Sequence, residues 1–164
     1  MAGCARMTTS IQHATLEFEN EIAARPHAVF SAYADVGQRI GWGTPSDTAT
    51  LIYDAADFRE GGTDRFRCGP KDDPSIHGTT QYLAIAEDRH IVSIETLATT
   101  GQTLAVALNT IMFLPAASGT RLVVTVQVAS FAGKGMIEGY EQGHRTCLAN
   151  LASLLSWQPA PDKT

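Results

Sequence analysis

The sequence predicts an α+β domain in which a curved antiparallel sheet of about seven strands wraps one long C-terminal helix, with two short helices after the first strand. Three observations predict it. From Ala49 to Phe131 the chain carries no helix-length periodicity and breaks into strand-like runs separated by turn clusters. The connections between those runs are short, which suits an antiparallel meander and not strands alternating with helices. Finally, from Met136 to Trp157 apolar residues recur with the rhythm of a single helix face.

Residues 1–12 are small and polar, contain Met7 as a second candidate start, and are expected to form a flexible N-terminus. From Thr15 onward, Leu16 and Phe18 alternate with Glu17 and Glu19, the pattern of a half-buried strand. Pro26 suits a first helical position, where its missing N–H costs nothing, and Ala28, Val29, Ala32 and Tyr33 give a helix over 26–34 an apolar stripe. Asp35 is placed to cap a second short helix that runs to about Trp42, with Gly43-Thr-Pro45-Ser ending it. Strands are expected over 49–55, 59–68, 77–86, 91–98, 103–114 and 120–130, with Gly61-Gly62 marking a bulge or bend. In the closing helix, Glu141 and Arg145 form an i,i+4 pair on the solvent side, and Gln158-Pro159 stops it. A single domain over 13–158 with a flexible C-terminus over 159–164 follows. One helix gripped by a bent sheet fills space less evenly than a flat two-layer sandwich, so a cavity for a small molecule is expected between them.

Composition narrows the function. Twelve Lys and Arg against seventeen Asp and Glu give a net charge of -5, without the basic footprint of a nucleic-acid binder. No stretch approaches the roughly eighteen apolar residues of a membrane span, and no apolar leader follows Met1. Cys4, Cys68 and Cys147 are odd in number and widely spaced, which fits idle thiols in the cytoplasm and neither a zinc site nor a disulfide framework. No two histidines stand at ligand spacing, so no metal is expected, and no phosphate loop or other cofactor motif is present.

Several motifs, in order, carry a family resemblance. They are Ala24-Arg-Pro26-His-Ala-Val-Phe30, Trp42, Asp57-Phe-Arg59-Glu-Gly61-Gly62 followed by Arg65-Phe66-Arg67, His90-Ile-Val-Ser-Ile-Glu95-Thr, Gly119-Thr-Arg121-Leu-Val-Val-Thr125, and Gly143-His-Arg-Thr-Cys-Leu148-Ala-Asn-Leu151. Over residues 14–157 the chain resembles the activator-of-heat-shock-protein-90-ATPase-like branch of the START/polyketide-cyclase superfamily. That resemblance implies the helix-grip (START/Bet v-like) fold and a hydrophobic cavity. This chain departs from the family in having His144 where an aromatic, commonly Trp, is frequent, and Val126 where an acidic residue stands beside Gln127. The eukaryotic co-chaperone has an additional N-terminal domain for which these residues leave no room, so the resemblance implies ligand binding ahead of a chaperone-interaction module.

Strand parity suggests which side chains face inward. Phe58, Gly62, Asp64, Phe66 and Cys68 oppose Arg59, Thr63, Arg65 and Arg67, and three arginines on one side identify that side as solvent. Ala107, Asn109, Ile111 and Phe113 are the inward set of their strand, and Leu122, Val124, Val126 and Val128 of the next, leaving Gln127 outside. Asp64, His77, Tyr82, Glu95, Asn109 and His144 are the polar groups that could converge inside. Trp42, Phe58, Phe66, Ile111, Phe113, Tyr140, Cys147 and Leu148 supply apolar wall. The expected function is binding of a small hydrophobic or amphipathic molecule. The alternative is an enzyme of the cyclase, dehydratase or hydrolase type using a carboxylate with a raised pKa, the carboxylate paired with His or Tyr. His144 is expected as cavity wall or satisfied core histidine, and Cys147, one helical turn on, as packing. Gly139 and Gly143 weaken the helix, which suggests close approach of backbone or ligand. Apolar residues on both faces of 103–114 and 120–130 leave an outer sheet face that a homodimer would cover most simply.

Overall fold

In the computed structural model, which describes residues 10–156, the chain forms β1 (Gln12–Ile22), α1 (Pro26–Ala34), α2 (Val36–Gly43), β2 (Ala49–Ala55), β3 (Thr63–Pro70), β4 (Ile76–Ala86), β5 (His90–Thr99), β6 (Gln102–Ala116), β7 (Gly119–Ser130) and α3 (Lys134–Ser156). Cys4, Met7, Trp157, Gln158 and Pro159 lie outside the described residues, as do most of the two terminal segments expected to be flexible. The strands make one antiparallel sheet in the order β1-β7-β6-β5-β4-β3-β2. It is a meander from β2 to β7, with β1 returning to the β7 edge.

Local chemistry sets the element ends. Pro26 opens α1, and the Asp35 side chain accepts a hydrogen bond from the Gln38 N–H at 2.8 Å, capping α2. β1 begins at Gln12, ahead of its apolar alternation, because its ladder with β7 continues as far as Gln12 opposite Ser130. β3 begins at Thr63 and not at 59. Gly61 adopts a left-handed φ of +78° in a turn, and a Cβ on Gly62 would collide with the Asp57 carbonyl, so this glycine pair is a turn before the strand. Bends enter where the ladder slips, between Tyr53 and Ala55, Tyr82 and Ala84, and Leu97 and Ala98. At Gly78 the Phe66 ring lies directly over the backbone in the space a Cβ would need.

The inner face of the sheet carries Ala105, Ala107, Ile111, Phe113, Leu122, Val124, Val126 and Val128, all buried. The opposite face carries Gln127 with the exposed apolar residues Leu83, Leu108 and Met112. α1 packs on one end of the inner face. There Phe30 and Tyr33 both meet Phe113 edge-on with ring centroids 5.5 Å apart, and Phe58 bridges Phe30 to Tyr82. α3 rests chiefly on β1, β7 and α2. Its Cys147 thiol donates to the Gly43 carbonyl, and Asn150 Nδ2 donates to the Trp42 and Thr44 carbonyls. The carbonyls that α2 leaves unpaired at its C-terminus thereby gain donors from α3.

Candidate functional site

Beyond the aromatic plug under α1, the sheet and α3 stand apart and enclose a cavity of about 770 Å³, lined from β2 through β7, both short helices and α3. The opening has a local cause. Gly135, Gly139 and Gly143 recur every four residues along α3 and all line the cavity, and a Cβ built on any of them meets nothing within 4 Å. The helix therefore turns a row without side chains toward the sheet. These glycines do not serve close backbone approach. They leave volume.

A buried charge cluster stands at the wall near α2. Asp64, 1% exposed, accepts hydrogen bonds from the Asp57 N–H at 2.7 Å through Oδ1 and from the Tyr82 hydroxyl at 2.6 Å through Oδ2. Arg39, 7% exposed, places Nη2 3.1 Å from Asp64 Oδ2 while Nη1 donates to the Tyr33 carbonyl and the Tyr82 hydroxyl. Its guanidinium lies 4.7 Å from the centre of the Tyr53 ring. Burial, opposed by the Arg39 charge, pushes the Tyr53 hydroxyl up to about 12, and burial likewise drives Tyr82 well above the ordinary phenol range. The two charges offset one another, and their hydrogen bonds run to Tyr33, Tyr82 and the Asp57 backbone. Asp64 is sealed behind the wall, whereas Arg39 and Tyr82 form part of it.

Facing the cavity from β5 and α3 is a second polar group. The Tyr140 hydroxyl donates to Glu95 Oε1 at 3.0 Å. Burial pushes the Glu95 carboxyl upward, against the downward pull of His144 nearby and of the Tyr140 hydrogen bond. Burial and then the Glu95 charge hold Tyr140 in its phenol form. His144 Nδ1 lies 2.9 Å from the Tyr140 carbonyl oxygen. A carbonyl only accepts, so Nδ1 carries a proton and Nε2 is the acceptor of the neutral ring. The ring is stacked between Phe18 at 5.4 Å and Tyr140 at 5.8 Å.

Of the side chains singled out by sequence, Trp42, Phe58, Phe66, Tyr82, Glu95, Asn109, Ile111, Tyr140, His144, Cys147 and Leu148 meet on the cavity wall. His77 does not. It is exposed and pairs with Arg67 on the outer face, because strand parity cannot turn both residue 77 and residue 82 inward without a bulge between them, and the slip in β4 comes after Tyr82. Phe113 faces inward but belongs to the packed aromatic plug under α1. Burial pushes the Cys147 thiol up to about 11, so with His144 it makes no nucleophile. Arg39, Tyr53 and Ser93 were not anticipated from sequence. The spacing of Arg39 and Trp42 on one helical face was the available signal for the first. Away from the cavity, the exposed His27 ring sits 2.9 Å from Asp88 with Glu87 beside them, a surface hydrogen-bond contact between α1 and the β4–β5 turn.

Residues 23–156 match the family described as Activator of Hsp90 ATPase homolog 1-like protein. Among solved structures, a protein from Rhizobium loti is 32% identical, with 88% of this chain and 98% of that one covered at a TM-score of 0.77. An uncharacterised protein from Rhizobium leguminosarum is 27% identical over 89% of this chain and 96% of its own, at a TM-score of 0.79. A Chromobacterium violaceum protein at 19% identity and a TM-score of 0.78, with 88% of this chain and 98% of that one covered, shares the fold. No curated protein matches.

Proposed function

Because the chain belongs to the Activator of Hsp90 ATPase homolog 1-like family, we propose that it binds a small hydrophobic or amphipathic molecule in the cavity between the sheet and α3. The observation that carries this reading is the cavity itself, about 770 Å³ with mostly apolar walls and a few polar side chains. That size and chemistry suit a drug-sized guest. Among the described residues Cys68 and Cys147 form no disulfide. No helix among the described residues is long and apolar enough to cross a membrane.

Thermal-shift screening of apolar and amphipathic compounds, followed by native mass spectrometry, tests the reading. At least one compound should raise the melting temperature and persist as a one-to-one adduct. Gly143→Leu, which puts a side chain into the open volume, should abolish that shift. Equal shifts in the wild type and the Gly143→Leu variant would place binding elsewhere.

Turnover of the cyclase, dehydratase or hydrolase kind in the same cavity is a second reading, favoured by the Glu95–Tyr140 pair on its wall. It requires that a bound compound be released at a changed mass, and that Glu95→Gln stop the change while the unchanged compound still binds.

A further inference from the structure

Glu95 is the one carboxylate among the described residues that line the cavity. Asp64 is neutralised by Arg39 and sealed, but Glu95 makes no salt bridge among the described residues. Its Oε1 is occupied by the Tyr140 hydroxyl, whereas Oε2 has no protein partner among the described residues and is open to the cavity. The titratable groups within electrostatic reach of it are Tyr53 on β2, Cys68 on β3, and Tyr140, His144 and Cys147 on α3. Four of these are neutral or negative when they titrate, and only His144 can bring a positive charge. Burial leaves the thiols protonated, Cys68 pushed up to about 11.

A lone carboxyl in such walls has two stable forms. It can be a carboxylate that waits for a cationic guest, or an uncharged acid that donates from its free oxygen. Tyr140 supplies only one donor to the charged form, and the nearby His144, which favours that form, makes no hydrogen bond to it, so a carboxylate facing apolar walls lacks the several hydrogen bonds that would replace its hydration. The acid form is the one these walls favour. With the Arg39–Asp64 unit neutral as well, a guest with a net charge of either sign would enter uncompensated.

We infer that Glu95, braced by Tyr140 and flanked by His144, anchors an uncharged amphiphile, whose hydrogen-bond-accepting oxygen meets Glu95 Oε2 while its apolar body lies along Phe66 and Ile111. This inference rests on the cavity being the ligand site.

A set of four probes sharing one apolar scaffold tests it: pyrene, 1-pyrenemethanol, 1-pyrenemethylammonium and 1-pyrenecarboxylate, with affinities read by pyrene fluorescence on the intact protein. The neutral alcohol should bind about threefold to tenfold more tightly than pyrene, the worth of a single net hydrogen bond, and more tightly than either ion. Its affinity in the wild type should fall as pH rises through the titration of Glu95. Glu95→Gln, which keeps a neutral donor, should remove that pH dependence, and Glu95→Leu should bring the alcohol-to-pyrene ratio to about one. Tightest binding by the ammonium probe, or an alcohol no better than pyrene in the wild type, overturns the anchor while the cavity stands. Failure of all four, pyrene included, overturns the cavity as a ligand site and the anchor with it. The wild-type comparison needs no variant to fold.

Discussion

Asp64 is the residue whose loss the structure should feel most. Among the described residues its carboxylate is the only one paired with Arg39, in a buried setting, and it holds the Tyr82 hydroxyl and the Asp57 backbone N–H as well. Asp64→Asn keeps the shape but strands the guanidinium, which should cost about 3–5 kcal/mol of unfolding free energy. Urea unfolding of the purified variant checks this, and a loss below about 1 kcal/mol would mean that Arg39 finds other compensation. Half of this cluster was legible in the sequence. Arg65 and Arg67, at odd positions of β3, mark its solvent side, so Asp64 had to point inward. Its partner was not legible, because strand parity says nothing about which residue of a distant helix reaches the same spot. Arg39 came out of a segment that reads as a short polar helix, and only the fold brings it 3.1 Å from a strand carboxylate.

At the scale of elements, periodicity located nearly everything and left one choice open. The face of α3 follows from its apolar spacing, and α1 and β2 have the very bounds their residues suggest. Where expectation and structure part, at β3, the cause is backbone conformation at a glycine pair, which a pattern of apolar residues does not encode. The glycines of α3 read from sequence as a sign of close approach by backbone or ligand; no backbone lies against them, and Gly139 and Gly143 border the cavity. Since nothing lies against them, a methyl group there is unopposed and should contribute its ordinary helical advantage. Gly139→Ala and Gly143→Ala should each raise stability by about 1 kcal/mol, or about 2–4 °C in melting temperature for a chain of this length. Scanning calorimetry of the unliganded variants decides it. A loss of stability at either position would show that the glycine is needed for contact after all.

For the molecule as a whole, a bent sheet around a single long helix made a cavity foreseeable, but not which end of it would be filled. The aromatic plug under α1 closes one end, and the glycine row of α3 keeps the other open, so the polar groups of β5 and α3 face apolar walls across empty volume. That placement ties global stability to pH through Glu95. Burial raises its carboxyl above the ordinary value of 4.5 in the folded state, so the native protein holds this proton more tightly than the unfolded chain does. The contribution of Glu95 is therefore fully present below the ordinary value and is lost as pH rises through the raised one. Glu95→Gln, always uncharged, escapes that loss while keeping an acceptor for the Tyr140 hydroxyl. Urea midpoints of wild type and variant should thus lie closest together at acid pH and separate as pH rises toward neutrality, with the variant gaining. Because the remaining titratable groups are common to both proteins, their contributions largely cancel in the difference. A constant gap, or one that closes with rising pH, would mean that Glu95 is ionised in the folded protein, and the cavity would then carry a permanent negative charge in search of a cation.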